Sequence, residues 1–166
     1  VYVAKKILNG INPRRKIKTV SKKIDEKNIK KYLSNPSIVI DATDNWYSMN
    51  IINKFCVKQS IPLISASVIG FDGQVILFKN TKKNHLCLNC IYPNINEPNL
   101  PRCDTVGVLG IAAGLTGLIA AQTTINFFTK NNIINNKLIM ISSKSMTITH
   151  IKVKNNSSCI NNSKKS

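Results

Sequence analysis

Acidic residues are scarce in this chain: seven Asp and Glu stand against 24 Lys and Arg in 166 residues, a formal charge of +17. Arginine is scarcer still, with only Arg14, Arg15 and Arg102, so the positive charge is nearly all lysine and is spread along the chain among abundant Asn and Ile. A drift of composition toward Lys, Asn and Ile explains these excesses together, whereas a phosphate-binding surface explains only the lysines. Aromatic residues make up 6% of the chain and form no stripe among the basic residues, which argues against a nucleic-acid partner. The N-terminal stretch VYVAKKILNG lacks the apolar core and small-residue cleavage site of a secretory signal. Five cysteines, two of them in a Cys-x-x-Cys pair, suit metal or thiol chemistry in a reducing, cytoplasmic setting better than a disulfide framework.

No uninterrupted apolar run is long enough to cross a bilayer. The longest, Val106 to Ala121, has 16 residues. At ~1.5 Å per residue it spans about 24 Å against a hydrocarbon core of ~30 Å. Gln122, Thr123, Thr124 and Asn126 then break it, and Gly107, Gly110, Gly114 and Gly117 suggest a buried helix packed closely on a sheet or a partner. No internal repeat is evident.

What is present alternates between strand and helix patterns. Val3, Ile7, Leu8 and Ile11 follow helical spacing until GINP stops them; KIKTV (16–20) alternates like a short strand, and DEKNIKKYL (25–33) reads as an exposed helix. SIVIDA (37–42) has the continuous apolar character of a buried parallel strand and feeds a helix over 46–59, with Met49, Ile52, Phe55 and Cys56 on one face. Strands at 62–68 and 74–78 follow, joined through Gly70 and Gly73, and two more at 137–142 and 146–153. The pattern predicts an α/β fold with a mixed sheet.

Three groups of residues are candidates for chemistry. Asp41 and Asp44 end the strand at 38–40, where open α/β sheets place their ligand crevice. Asp44 or Asn45 is equally suited to cap the helix that starts at Trp46, and spacing does not separate the two roles. Cys87 and Cys90 form half of a tetrahedral zinc site, for which the distant Cys159 is the third ligand and Asn162 stands where a fourth thiolate is expected; thiols without metal are the alternative. Cys103 lies beside Arg102 and just before the glycine-rich helix, a setting that lowers a thiol's pKa; the alternative is an incidental loop cysteine. The polar segment from Asn80 to Thr105 has no periodicity, which in a compact domain marks a functional or mobile loop.

The order of these pieces is more specific than any one of them. INP, DATDN with the following IN and Cys56, PLISASVIGFDGQV, CLNC-x-YP, EP with Cys103, GVLG and a terminal cysteine run along residues 1–160. This series resembles the ThiF/MoeB/HesA family, bacterial relatives of ubiquitin-activating enzymes, and CIYPNINEPNLPRCDTVGVLG is most similar to its thiamine-pathway branch. The resemblance implies the C-terminal portion of a Rossmann-like domain over residues 1–154, with a zinc and crossover loop at about 80–105 and a polar tail at 155–166.

It also implies an ATP- and magnesium-dependent adenylyltransferase. Its substrate is the C-terminal glycine of a ubiquitin-like sulfur carrier in a thiamine or molybdopterin pathway. Asp44 then binds magnesium and nucleotide, Asn45 lies beside the nucleotide, Cys103 forms a covalent link with the carrier, and Cys87, Cys90 and Cys159 hold a structural zinc. A homodimer without membrane or nucleic-acid partners is expected. The chain departs from the family pattern in three respects: the N-terminal phosphate loop is missing, Met49 stands for an arginine, and Asn162 for a zinc cysteine. These departures leave a second expectation, a non-catalytic remnant that still binds the carrier or a partner subunit.

Overall fold

The computed structural model describes residues 1–81, 86–93, 106–131, 136–156 and 159. The chain divides into two compact units, Val1–Ser34 and Asn35–Ser166.

The first unit holds helix α1 (Tyr2–Ile11) and the single-turn helix α2 (Ile29–Tyr32). The expected apolar residues Val3, Ile7, Leu8 and Ile11 are on α1, and all are exposed. Residues 16–20 form no strand: alternation needs a partner ladder, and none runs beside them among the described residues. The helix expected over 25–33 shrinks to α2 because Asp25 and Asn28 bond each other's backbone. Asp25 Oδ1 accepts from Lys27 N and Asn28 N at 2.8 Å each, and Asn28 Oδ1 accepts from Asp25 N at 3.1 Å. Such local side-chain bonds compete with the helical ladder.

The second unit is built on a mixed five-stranded sheet in the order β1 (Val39–Asp41), β2 (Leu63–Ile69), β3 (Asp72–Phe78), β4 (Lys137–Ser142), β5 (Thr147–Lys152). β1 and β2 are parallel, pairing Val39 with Leu63 and Asp41 with Ser65; every later pair is antiparallel. The parallel pair is joined by helix α3 (Trp46–Gln59), whose bounds coincide with the apolar periodicity of the sequence. Met49, Ile52, Phe55 and Cys56 are all buried on it. Ser60, in the left-handed conformation at φ 55°, ends the helix and turns the chain into β2.

Helix α5 (Gly110–Thr129) lies over β2, β3 and β4. The short α4 (Leu88–Ile91) precedes it in sequence. Ala120 joins Ile64, Ala66, Val75, Leu77, Ile139 and Ile141 in the core, with Leu115, Ile119 and Phe127 packed at its margin. Burying these side chains contributes roughly 1.5–3 kcal/mol for each large one.

Two expectations are corrected here. The strand at 38–41 is not buried on both faces: Ile40 is 50% exposed, because β1 sits at the sheet's margin, outside the strands that α5 covers. Nor is the glycine-rich helix buried. Only Ala112, Thr116 and Ala120 of α5 are, and Gly110, Gly114 and Gly117 face open space. The close approach comes from the sheet instead: a Cβ added at Gly73 of β3 would collide with Thr116.

Candidate functional site

The acidic mouth of β1 separates into two carboxylates with different roles. Asp41, the last residue of β1, is 2% exposed. Its Oδ1 accepts from Thr43 N at 3.0 Å and from Thr43 Oγ1 at 2.7 Å. Burial pushes its pKa above 3.8, against the lowering effect of those two bonds. The neighbouring Cys56 thiol is pushed up to about 12, by burial first and then by the Asp41 charge, so it is no nucleophile. Asp41 is therefore a turn-forming residue, held inside by Thr43.

Asp44 points the other way. It is exposed, and among the described residues no cation pairs with it. Asn45 takes the capping duty: in extended conformation at φ −137°, its Oδ1 accepts from Ser48 N at 2.9 Å. Its Nδ2 reaches Asp44 Oδ1 at 3.3 Å, a long contact that leaves the second carboxylate oxygen to solvent. Of the two candidate caps it is Asn45 that caps α3, which leaves Asp44 without that duty. A hard divalent ion such as magnesium binds through one or two carboxylates plus phosphate oxygens, and the exposed Asp44 carboxylate is a ligand of that type, while the positive end of the α3 dipole favours the phosphate rather than the ion.

The second site is a cysteine knuckle. Cys87 precedes α4 and Cys90 lies within it, with Cys90 N bonded to Cys87 O at 2.9 Å. Cys159, distant in sequence, brings its sulfur to 3.6 Å from that of Cys87, and the Cys87 and Cys90 sulfurs are 3.9 Å apart. All three Sγ atoms lie within 4.8 Å of one another. Ligands at Zn–S ≈ 2.3 Å in tetrahedral geometry stand about 3.8 Å apart, so the three thiols fit zinc. The hydrogen bond from Cys87 is the main reason the Cys90 thiol is lowered to about 5. Buried thiolates without a cation are costly, and a soft divalent metal is the group that compensates them.

A buried amide ties the knuckle to α3. Asn53, fully buried, accepts from Leu88 N at 3.1 Å and donates from Nδ2 to Asn89 Oδ1 at 3.0 Å. Farther along, the Trp46 and Tyr92 rings meet edge to face at 5.8 Å, and Tyr92 Oη donates to Gln74 Oε1 at 2.7 Å. The helix that begins at Asp44 and Asn45 is thus held to the knuckle at two points. The sequence reading missed Asn53; its signal is a polar residue on the apolar face that carries Met49, Ile52 and Cys56. Met49 is buried and presents no charge at the mouth. Cys103 and Asn162 lie outside the described residues.

These features define an α/β protein with a mixed sheet, an acidic strand mouth and a three-cysteine knuckle. The ThiF family signature matches residues 1–161, and the chain belongs to the ThiF family. It is 30% identical to the sulfur carrier protein ThiS adenylyltransferase of Escherichia coli, over 74% of this chain and 48% of that protein. It is 32% identical to the molybdopterin-synthase adenylyltransferase of Haemophilus influenzae, over 94% of this chain and 64% of that protein. The SAMP-activating enzyme E1 of Haloferax volcanii is 26% identical over 92% of this chain and 56% of its own length. The chain therefore spans about half to two thirds of the relatives it matches. The fold is also that of E. coli MccB crystallised with succinimide, at TM-score 0.78 and 18% identity, covering 99% of this chain and 50% of MccB.

Proposed function

We propose that this chain is the C-terminal portion of an ATP-dependent adenylyltransferase that activates the terminal glycine carboxylate of a ubiquitin-like sulfur carrier. The observation that carries the reading is the division of labour at the β1 mouth, where Asn45 satisfies the helix and leaves Asp44 exposed. Family membership supplies the reaction class, and the relatives' printed names supply the carriers. In the reaction, a carboxylate oxygen of the carrier attacks the α-phosphorus of ATP. The bond from that phosphorus to the pyrophosphate oxygen breaks, leaving an acyl-adenylate. Magnesium, when bound, neutralises phosphate charge during that displacement. Asp44 would be the protein ligand of that ion, and Asn45 fixes the N-terminus of α3 next to Asp44. Cys87, Cys90 and Cys159 would hold a structural zinc, which would tie α4 to the segment at Cys159. Cys103 serves the later covalent link to the carrier.

The seven glycines include no phosphate-cradling loop among those described, so turnover needs a phosphate-binding part that this chain does not supply. The working protein is a cytoplasmic homodimer. Adding the chain, a relative's phosphate-binding half, carrier and Mg·ATP should give carrier-dependent pyrophosphate exchange; its absence under those conditions sinks the catalytic reading. Buried Met49, which brings no cation to the mouth, favours a second reading in which the chain binds the carrier without turning over. Calorimetric titration of the carrier into the chain separates that case, because binding without exchange supports it.

A further inference from the structure

The knuckle brings together three sulfurs, whereas a structural zinc site is closed by four ligands. The separations of 3.6 Å from Cys87 to Cys159 and 3.9 Å from Cys87 to Cys90 bracket the edge of a zinc tetrahedron, so the three thiols occupy one face of it. Among the described residues no further His, Cys, Asp or Glu joins them. Cys56 is on α3 beside Asp41, and His150 is on the fully exposed β5. His85 and Cys103 lie outside the described residues. In the sequence, the spacing Cys159-x-x-Asn162 puts a carboxamide where a fourth thiolate would complete the set. A neutral, hard amide oxygen is a poor match for a metal held in sulfur surroundings.

We propose that the knuckle is an open-coordination metal site, in which Cys87, Cys90 and Cys159 fill three positions and the fourth takes up a small exogenous thiolate. Sites that accept an external ligand are those with three protein ligands and a free position, and this donor set has that count. The ligand's class follows from softness: three thiolates select a thiophilic ion, and that ion prefers sulfur to oxygen for its remaining place. Access is from one side. Cys87 and Cys159 are buried, at 0% and 3% exposure, while Cys90 is half-buried and meets solvent. A ligand entering past Cys90 must therefore be small.

Charge is compatible with the assignment. Three thiolates around a divalent ion carry a net negative charge, to which a fourth thiolate adds another. The chain's net +17 offsets it at long range, and the backbone N–H groups of Cys87 and Asn156 bond the Cys90 sulfur at short range. The uptake is a ligand exchange without redox change: the thiol gives its proton to solvent and its sulfur forms the fourth bond.

The inference rests on the knuckle holding metal, as proposed above, and goes beyond a purely structural ion. Cobalt(II) takes zinc's place in tetrahedral sites and reports its sulfur ligands through near-ultraviolet charge transfer. The whole chain, loaded with cobalt in the absence of thiol reductant, should show the intensity of three thiolates. Titration with 2-mercaptoethanol should raise that intensity by about one third and saturate, as the sulfur count goes from three to four. Ethylene glycol, the oxygen counterpart, should leave the spectrum unchanged. Asn162→Cys should show the four-thiolate intensity from the start and ignore 2-mercaptoethanol. A wild-type spectrum that does not respond to 2-mercaptoethanol overturns the open position, because a group of the chain then closes it. A four-thiolate wild-type spectrum that falls in Cys103→Ser overturns it too and names that group. An equal response to ethylene glycol overturns the preference for sulfur. Failure to take up cobalt at all overturns the metal reading of the knuckle together with this inference, and leaves the reading of Asp44 standing.

Discussion

The side-chain amide of Asn53, inside α3, bonds both to the backbone N–H of Leu88 at 3.1 Å and to the side chain of Asn89 at 3.0 Å, so a helix core position holds the cysteine knuckle. Those bonds span 35 and 36 residues of sequence. They connect α3, which starts at the acidic mouth, with the residues between Cys87 and Cys90.

Asn53→Ala should therefore act on the metal as well as on stability. It orphans the Leu88 N–H and opens a small cavity in α3, at a cost of about 1–3 kcal/mol in chemical denaturation. Outer-shell partners of metal ligands are typically worth 10–100-fold in affinity, so zinc competition against a chromophoric chelator should weaken by that order. Unaltered zinc affinity in a destabilised variant would reduce Asn53 to a packing residue.

Removing metal tests the knuckle directly. Chelator should lower the melting temperature of the wild type, and the Cys159→Ser variant should melt low with or without chelator. Equal melting of the wild type in both conditions would mean that the three thiols hold no structural ion.

Asp41 gives a pH-dependent prediction whose sign follows from burial. Its native pKa is raised, so folding favours the protonated form. The contribution is fully present below the unfolded value of 3.8 and is lost as pH rises through the higher native pKa. Asp41→Asn keeps an oxygen acceptor for Thr43 and cannot ionise, and should therefore be more stable than wild type at pH 7. The advantage should shrink toward zero as the pH is taken below 4 in urea titrations.

Asp44 and Asn45 should separate cleanly. Asn45→Ala removes a helix cap and should cost about 1 kcal/mol of stability. Asp44→Ala, at an exposed position, should stay within about 0.5 kcal/mol of wild type while abolishing magnesium-dependent nucleotide binding in the reconstituted protein. Nucleotide affinity that survives Asp44→Ala would remove the central support of the adenylyltransferase proposal.

Gly73 and Thr116 should be coupled. Gly73→Ala drives a methyl into Thr116 and should destabilise by about 1–3 kcal/mol. Adding Thr116→Ala makes room, so the double variant should be more stable than the sum of the singles predicts. Additive losses would show that α5 and β3 adjust independently.

The sequence by itself determined the elements whose signal is local. α3 is read to the residue because its apolar face, its Asn45 cap and the Pro62 beyond it all lie within one short stretch. The β2–β3 hairpin and the β4–β5 pair are legible for the same reason, and the ordered motif series placed the chain in its family. Tertiary structure decided what depends on neighbours. Asp41 and Asp44 are the same residue type three positions apart, and only the fold shows that one is sealed by Thr43 while the other meets water. The short KIKTV stretch looked like a strand and is not one, since a ladder is a property of two segments. The glycines of α5 suggest close packing on a sheet or a partner; none of Gly110, Gly114 and Gly117 meets the sheet, and Gly73 makes the close approach between helix and sheet instead. A helix's composition reports how apolar its faces are, whereas which face is covered depends on what the rest of the chain brings against it.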